Sequence, residues 1–213
     1  MEAIQKSDVV LAMVPAVADF IPTGGRLFEV YGELDLEPEQ LMRTVEIDAE
    51  RSIVQDVSFG LRLLVDIAER SLSTGINDPT TATQVVDELH DLLLLLGSRP
   101  FPNGWHADAA GEPRLHMPMP SWDVYVALAF EEIRHYGAEA LQVVRRIRSA
   151  VEDMMVDLPE DRHPALRRQI RLLDETAEWA FRSDTEREAA RHPDAQGIGS
   201  GDGFGPNGAD GAG

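Results

Sequence analysis

The sequence contains no cysteine, which excludes disulfides, thiolate metal sites and a thiol nucleophile. It has no apolar run near the ~20 residues needed to cross a bilayer, and the leucine block at residues 92–96 falls far short. Bases are scarce: 19 against 38 acids, a formal charge of −19. A field of that sign repels phosphate backbones, so no nucleic-acid partner is expected. The opening MEAIQKSDVV lacks a basic region followed by an apolar one, so no secretion signal is expected and the chain reads as soluble. Serine nucleophile elbows, phosphate-binding loops and dinucleotide fingerprints are missing too. The six histidines form no H-x-x-x-H or H-x-E pair. Asp87 with His90 is the one local metal-like pairing, and two groups make a surface pair rather than a metal centre. No metal and no cofactor is expected.

What is present is mostly helical periodicity behind a short β pattern. Residues 9–31 mix β-branched and aromatic residues with turn formers, and PTGG at 22–25 is the clearest turn. So short a β segment must pack on helices, pair with another chain, or belong to a larger β module. Pro38 suits the first position of a short helix. A longer helix is predicted from 56 to 73, with Val57, Leu61, Leu64, Val65, Ala68 and Leu72 facing inward. The next spans 80–96, with Leu92 among its inward residues and Gly97 closing it. Residues 105–120 read as a β-hairpin turning near Ala110 and Gly111. Helices from 122, over 138–157 and over 164–191 complete the pattern.

The expected fold is mainly α: an antiparallel helical domain at 36–193, a small β segment at 1–35, and the β-hairpin as an insertion. Eight glycines among residues 196–213 predict a disordered tail from 194 onward. Residues 29–50 carry eight acids and only Arg43 as a base, a solvated face or a site for cations.

Two polar stretches are candidate sites. Arg62, Asp66 and Arg70 lie three or four apart on one helix face, preceded by Gln55 and Asp56. They form either a row of ion pairs or a guanidinium fork for an anion, and Asp56 is also placed to cap the helix. In LSTGINDPTTA, residues 72–82, Gly75 suits helix closure, Asn77 or Asp78 a helix cap, and Pro79 a first helical turn. The same Asn77, Asp78 and Thr81 could hold a small ligand.

The run RSIVQDVSFGLRLLVDIAERSLSTGINDPTTA, residues 51–82, resembles the signature of the bacterial domain of unknown function 2254 family of membrane proteins. The likeness extends back through VVLAMVPAVADFIPTGGRLFEVYG and forward through RLHMPMPSWDVYVALAFEEIRHYGA. Carried over position by position, the motif comprises Gln55, Asp56, Phe59, Gly60, Arg62, Asp66, Arg70, Ser73, Gly75, Asn77, Asp78, Pro79 and Thr81. The chain departs from it at Thr74, where proline is common, and at Ala18, where glycine is.

The resemblance implies transmembrane helices ahead of this region in relatives, at the bacterial inner membrane with this part cytoplasmic, and assigns no reaction. The leading expectation is a non-enzymatic accessory, regulatory or ligand-binding module. The alternatives are a metal-dependent hydrolase using Asp56, Asp66 and Asp78, and an oligomerisation module whose β segment completes itself against a second copy.

Overall fold

The computed structural model describes residues 9–33, 37–48, 50–54 and 56–199. Gln55, the first eight residues of the expected β segment and residues 200–213 of the expected tail lie outside them. The chain divides into two compact units: a β unit of residues 1–59 with 101–121, and a helical unit of 60–100 with 122–213. Both are interrupted in sequence.

In the β unit, β1 (Val10–Met13) pairs antiparallel with β2 (Phe28–Tyr31), placing Leu11 opposite Val30 and Met13 opposite Phe28. The turn before β2 closes through a Gly25 amide donated to the Pro22 carbonyl, with Gly24 at φ 79°, a conformation that glycine adopts without strain. β3 (Trp105–Ala107) and β4 (Pro113–His116) form the expected hairpin. Asp108 shapes its turn by accepting the Ala110 and Glu112 amides and the Arg114 Nε–H. β4 then pairs parallel with β1, Leu115 beside Leu11, giving the sheet order β2-β1-β4-β3. The hairpin is therefore the missing half of the β module. A short helix, α1 (Pro38–Met42), begins at Pro38 as expected.

The helical unit takes most of α2 (Val57–Ser71), then α3 (Pro79–Gly97), α4 (Trp122–Tyr136), α5 (Leu141–Asp157), α6 (His163–Ala180) and α7 (Asp184–Arg191). α3 lies against α5, and both α4 and α5 lie against α6. Leu89, Leu93, Phe130, Ile133, Ile147, Met154, Leu166 and Leu173 are fully buried between them. Each such side chain contributes about 1.5–3 kcal/mol of hydrophobic stabilisation. The mainly α class with a small β part is as the sequence indicates.

Several local expectations are corrected. The expected last helix is two, broken after Ala180, because Ser183 and Glu186 form a reciprocal capping box that starts α7. Leu92 and Val57 are exposed rather than inward. Gly97 is the last residue of α3, and the cap is the next one, Ser98, in right-handed helical conformation. A Cβ at 97 would stand 2.7 Å from Leu158 Cδ1, so the Leu158 side chain would have to shift to admit one.

Residues 194–199 are not a loose tail. Asp194 is 4% exposed, and its carboxylate accepts the amides of Gln196, Gly197 and Gly199. Its own amide donates to the Arg145 carbonyl, and Gln142 donates to Gly197, fastening this strap to α5.

Candidate functional site

The polar motif separates into local tasks. On α2 the Arg62 guanidinium bonds Asp66 and Glu69 on its own helix, the latter at 2.9 Å, and Glu132 on α4. Three carboxylates around one guanidinium hold Arg62 firmly protonated, the Glu132 hydrogen bond being the largest cause. The carboxylates are pulled apart: burial, then the hydrogen bond with Glu132, raises Glu69, while Glu132 is lowered, first by that same bond. Arg62 is thus consumed within the α2–α4 pair. It makes no bond to residues 75–81, and neither does Arg70, which is exposed and whose guanidinium has no hydrogen bond or ion pair among the described residues. The expected row Arg62, Asp66, Arg70 holds only for its first pair, and the guanidinium fork does not form.

The turn at 72–82 is helix punctuation. Asp78 is the N-cap of α3: its carboxylate accepts the Thr81 amide at 3.1 Å and the Thr81 hydroxyl at 2.6 Å, and Pro79 follows at the first position. These bonds, the hydroxyl's first, hold the Asp78 carboxyl below its ordinary range. The left-handed residue is Asn77, at φ 49°, rather than Gly75. Asp78 is occupied with Thr81, and Asp66 with Arg62. Among the described residues no three His, Asp or Glu side chains gather as a metal ion requires.

Asp56, at the head of α2, falls in the β unit and differs from the rest. It is 8% exposed and lines a cavity of about 1120 Å³ built wholly within that unit. The floor is one face of the sheet. Pairing register places Leu11 and Met13 of β1, Phe28 of β2 and Leu115 of β4 side by side on it. The walls are the loop 15–21 and residues 41, 44–48, 50–52 and 56, which bring Phe20, Ile47 and Arg51 to the lining. Asp56 accepts no hydrogen bond from a described residue, and its nearest cation, Arg51 Nη1, stands 3.9 Å away. The acidic stretch at 29–50 contributes Glu46, Asp48 and Glu50, so part of it is cavity wall.

The sequence reading missed this cavity because it depends on the parallel β1–β4 pairing. The signal that could have found it was the wish of an incomplete β segment for further strands. Also missed were Arg145, Arg146 and Arg148 of α5, all buried. Arg145 and Arg148 donate to the His192 and Ala190 carbonyls. Arg146 bonds Asp87 and, at 3.3 Å, His90 Nδ1, so Asp87 and His90 serve one guanidinium rather than each other.

Among the described residues no helix is long and apolar enough to cross a membrane. A family model described as "Predicted membrane protein (DUF2254)" matches residues 1–153. Uncharacterised proteins of Mycobacterium bovis and of two strains of Mycobacterium tuberculosis are 38% identical to the chain over 153 residues. That stretch covers 70% of this chain and 29% of each relative, so the chain spans under a third of the length of the curated relatives it matches. No solved structure matches.

Proposed function

Because the chain belongs to the DUF2254 family of predicted membrane proteins, we propose that it is a non-enzymatic ligand-binding or regulatory region of such a protein, placed on the cytoplasmic side. The observation that carries the reading is the β-unit cavity, apolar on its sheet floor and ringed by carboxylates. Its volume is slightly above the ~300–1000 Å³ common for small-molecule sites. The hydrolase reading is the weaker one, because Asp66 and Asp78 are each engaged by a neighbour.

The test is a thermal-shift screen of the 213-residue chain against metabolites and ions, repeated on Met13→Trp, which fills the floor. A compound that raises the melting temperature of the native chain and not of the variant supports the reading. A screen with no hit, or hits indifferent to the variant, overturns it.

A second reading, self-association, rests on β2, an outer strand of the sheet whose Val30 and Tyr31 are exposed. Light scattering that finds only monomer at high concentration would remove it.

A further inference from the structure

We infer that the cavity of the β unit takes a cationic amphipathic small molecule, an amine or guanidinium head on an apolar body, with the Asp56 carboxylate as its anchor. The inference rests on the ligand-binding reading above and adds the class of ligand. Six carboxylates line the cavity against two guanidiniums. That excess alone identifies nothing, because acids on a rim are commonly solvated. What decides is how each one is engaged.

Asp108 is committed to Arg114 and to the amides of its own turn. Asp19 accepts the Ala16 amide, and Asp48, exposed, accepts the Glu50 amide. Glu46 and Glu50 are exposed at the edge. Asp56 is the exception: its side chain is only 9% exposed, it accepts no hydrogen bond from a described residue, and Arg51 stops 3.9 Å short, itself half exposed. The Asp56 carboxylate thus keeps a long ion pair and open acceptor sites at a mostly buried position, where a charge-assisted donor entering the cavity is screened less than at the exposed rim. Arg51 is too distant for a charge-assisted hydrogen bond, which closes at ~2.7–2.9 Å.

The rest of the lining sets the body of the ligand. Leu11, Met13, Phe28 and Leu115 form a continuous apolar floor, so a bare metal ion or a short polyamine would leave it uncovered. An anionic amphiphile of the same shape meets the wrong charge at the anchor and at the rim. The arrangement therefore selects by head charge and holds by apolar area.

The test uses three probes of equal tail length: octylamine, octanol and octanoate, titrated calorimetrically into the whole chain near neutral pH. Octylamine is expected to bind best, octanol more weakly and octanoate weakest. Asp56→Asn should weaken octylamine about 10- to 100-fold and leave octanol unchanged, as loss of a buried charge partner does. Arg51→Gln, at a half-exposed position that does not endanger folding, should tighten octylamine by freeing the anchor. This second variant tests the anchor even if Asp56→Asn fails to fold.

Octanol binding as well as octylamine, octanoate binding better, or indifference of octylamine to both substitutions overturns this inference and leaves the cavity reading standing. Failure of all three probes on the native chain overturns both.

Discussion

Arg62 on α2 and Glu132 on α4 are joined by a direct ion pair, and the same guanidinium also holds Asp66 and Glu69. One cation thus restrains three anions that would otherwise repel one another across two helices. Arg62→Met is expected to destabilise the chain by about 1–2 kcal/mol near neutral pH, since removing one member of a partly buried network exposes the rest to each other. Urea denaturation would show it, and the deficit should shrink in acid as the carboxylates protonate.

The two glutamates of that network should respond oppositely to pH. Glu132 has a lowered carboxyl pKa, so the stability it contributes is present above its ordinary value and is lost as pH falls through the folded-state value. Glu69 has a raised one, so the folded state keeps its proton longer than the unfolded chain does. Its contribution is fully present below the ordinary value and is lost as pH rises through the folded-state value. Glu132→Gln should therefore lower the urea midpoint near neutral pH, and Glu69→Gln should leave it unchanged or raise it. Midpoints compared at about pH 4 and pH 7 check both signs.

The Asp78 cap carries the same kind of linkage without a salt bridge. Its carboxyl is lowered by the Thr81 hydroxyl and amide, so the stabilisation is present above the ordinary carboxylate value and disappears as pH falls through the folded-state one. Asp78→Ala should lower the melting temperature near neutral pH, and the gap to the native chain should close in acid. Asp78→Asn, still a good cap, should lose less.

Ala18 holds φ 69°, in the region where a Cβ is unfavourable. Ala18→Gly is expected to stabilise the β unit by roughly 0.5–1 kcal/mol, the relief of left-handed strain less the added freedom of glycine in the unfolded chain. Gly24→Ala, at φ 79°, should have the opposite sign. Thermal melts of the two variants test the pair.

Loss of the strap anchor is the largest expected effect. Asp194→Ala leaves the amides of Gln196, Gly197 and Gly199 without the buried carboxylate that gathers them, at a cost of about 2–3 kcal/mol. Amide exchange at Gly197 should rise well before the core of α5 is affected.

How much of this was legible in the sequence depends on range. The Asp78 cap and Pro79 start were readable because every partner lies within three residues. At Ala18 the family resemblance marked a departure from glycine, and the φ of 69° shows what that departure costs. The capping box of Ser183 and Glu186 was equally local, and the long amphipathic run around it concealed it. The buried arginines of α5 look like a solvated face, because the carbonyls that receive two of them sit more than forty residues away. The cavity was out of reach for the same reason: Asp56 is a plausible helix cap by position, and the cavity it lines has a floor of strands that meet only in the fold.

The parallel pairing of β1 with β4 also bears on how the chain comes together. Leu11 waits for Leu115 across about a hundred residues, so this contact closes a long loop and contributes to slow folding of the sheet. During synthesis the first β-ribbon emerges without its neighbour, and α2 and α3 are made before the hairpin that completes the floor. A chain interrupted after residue 100 would carry two strands of four and no cavity. Under the proposed function, a ligand anchored at Asp56 is bound only once the hairpin has returned, so its occupancy would report that the β unit is complete.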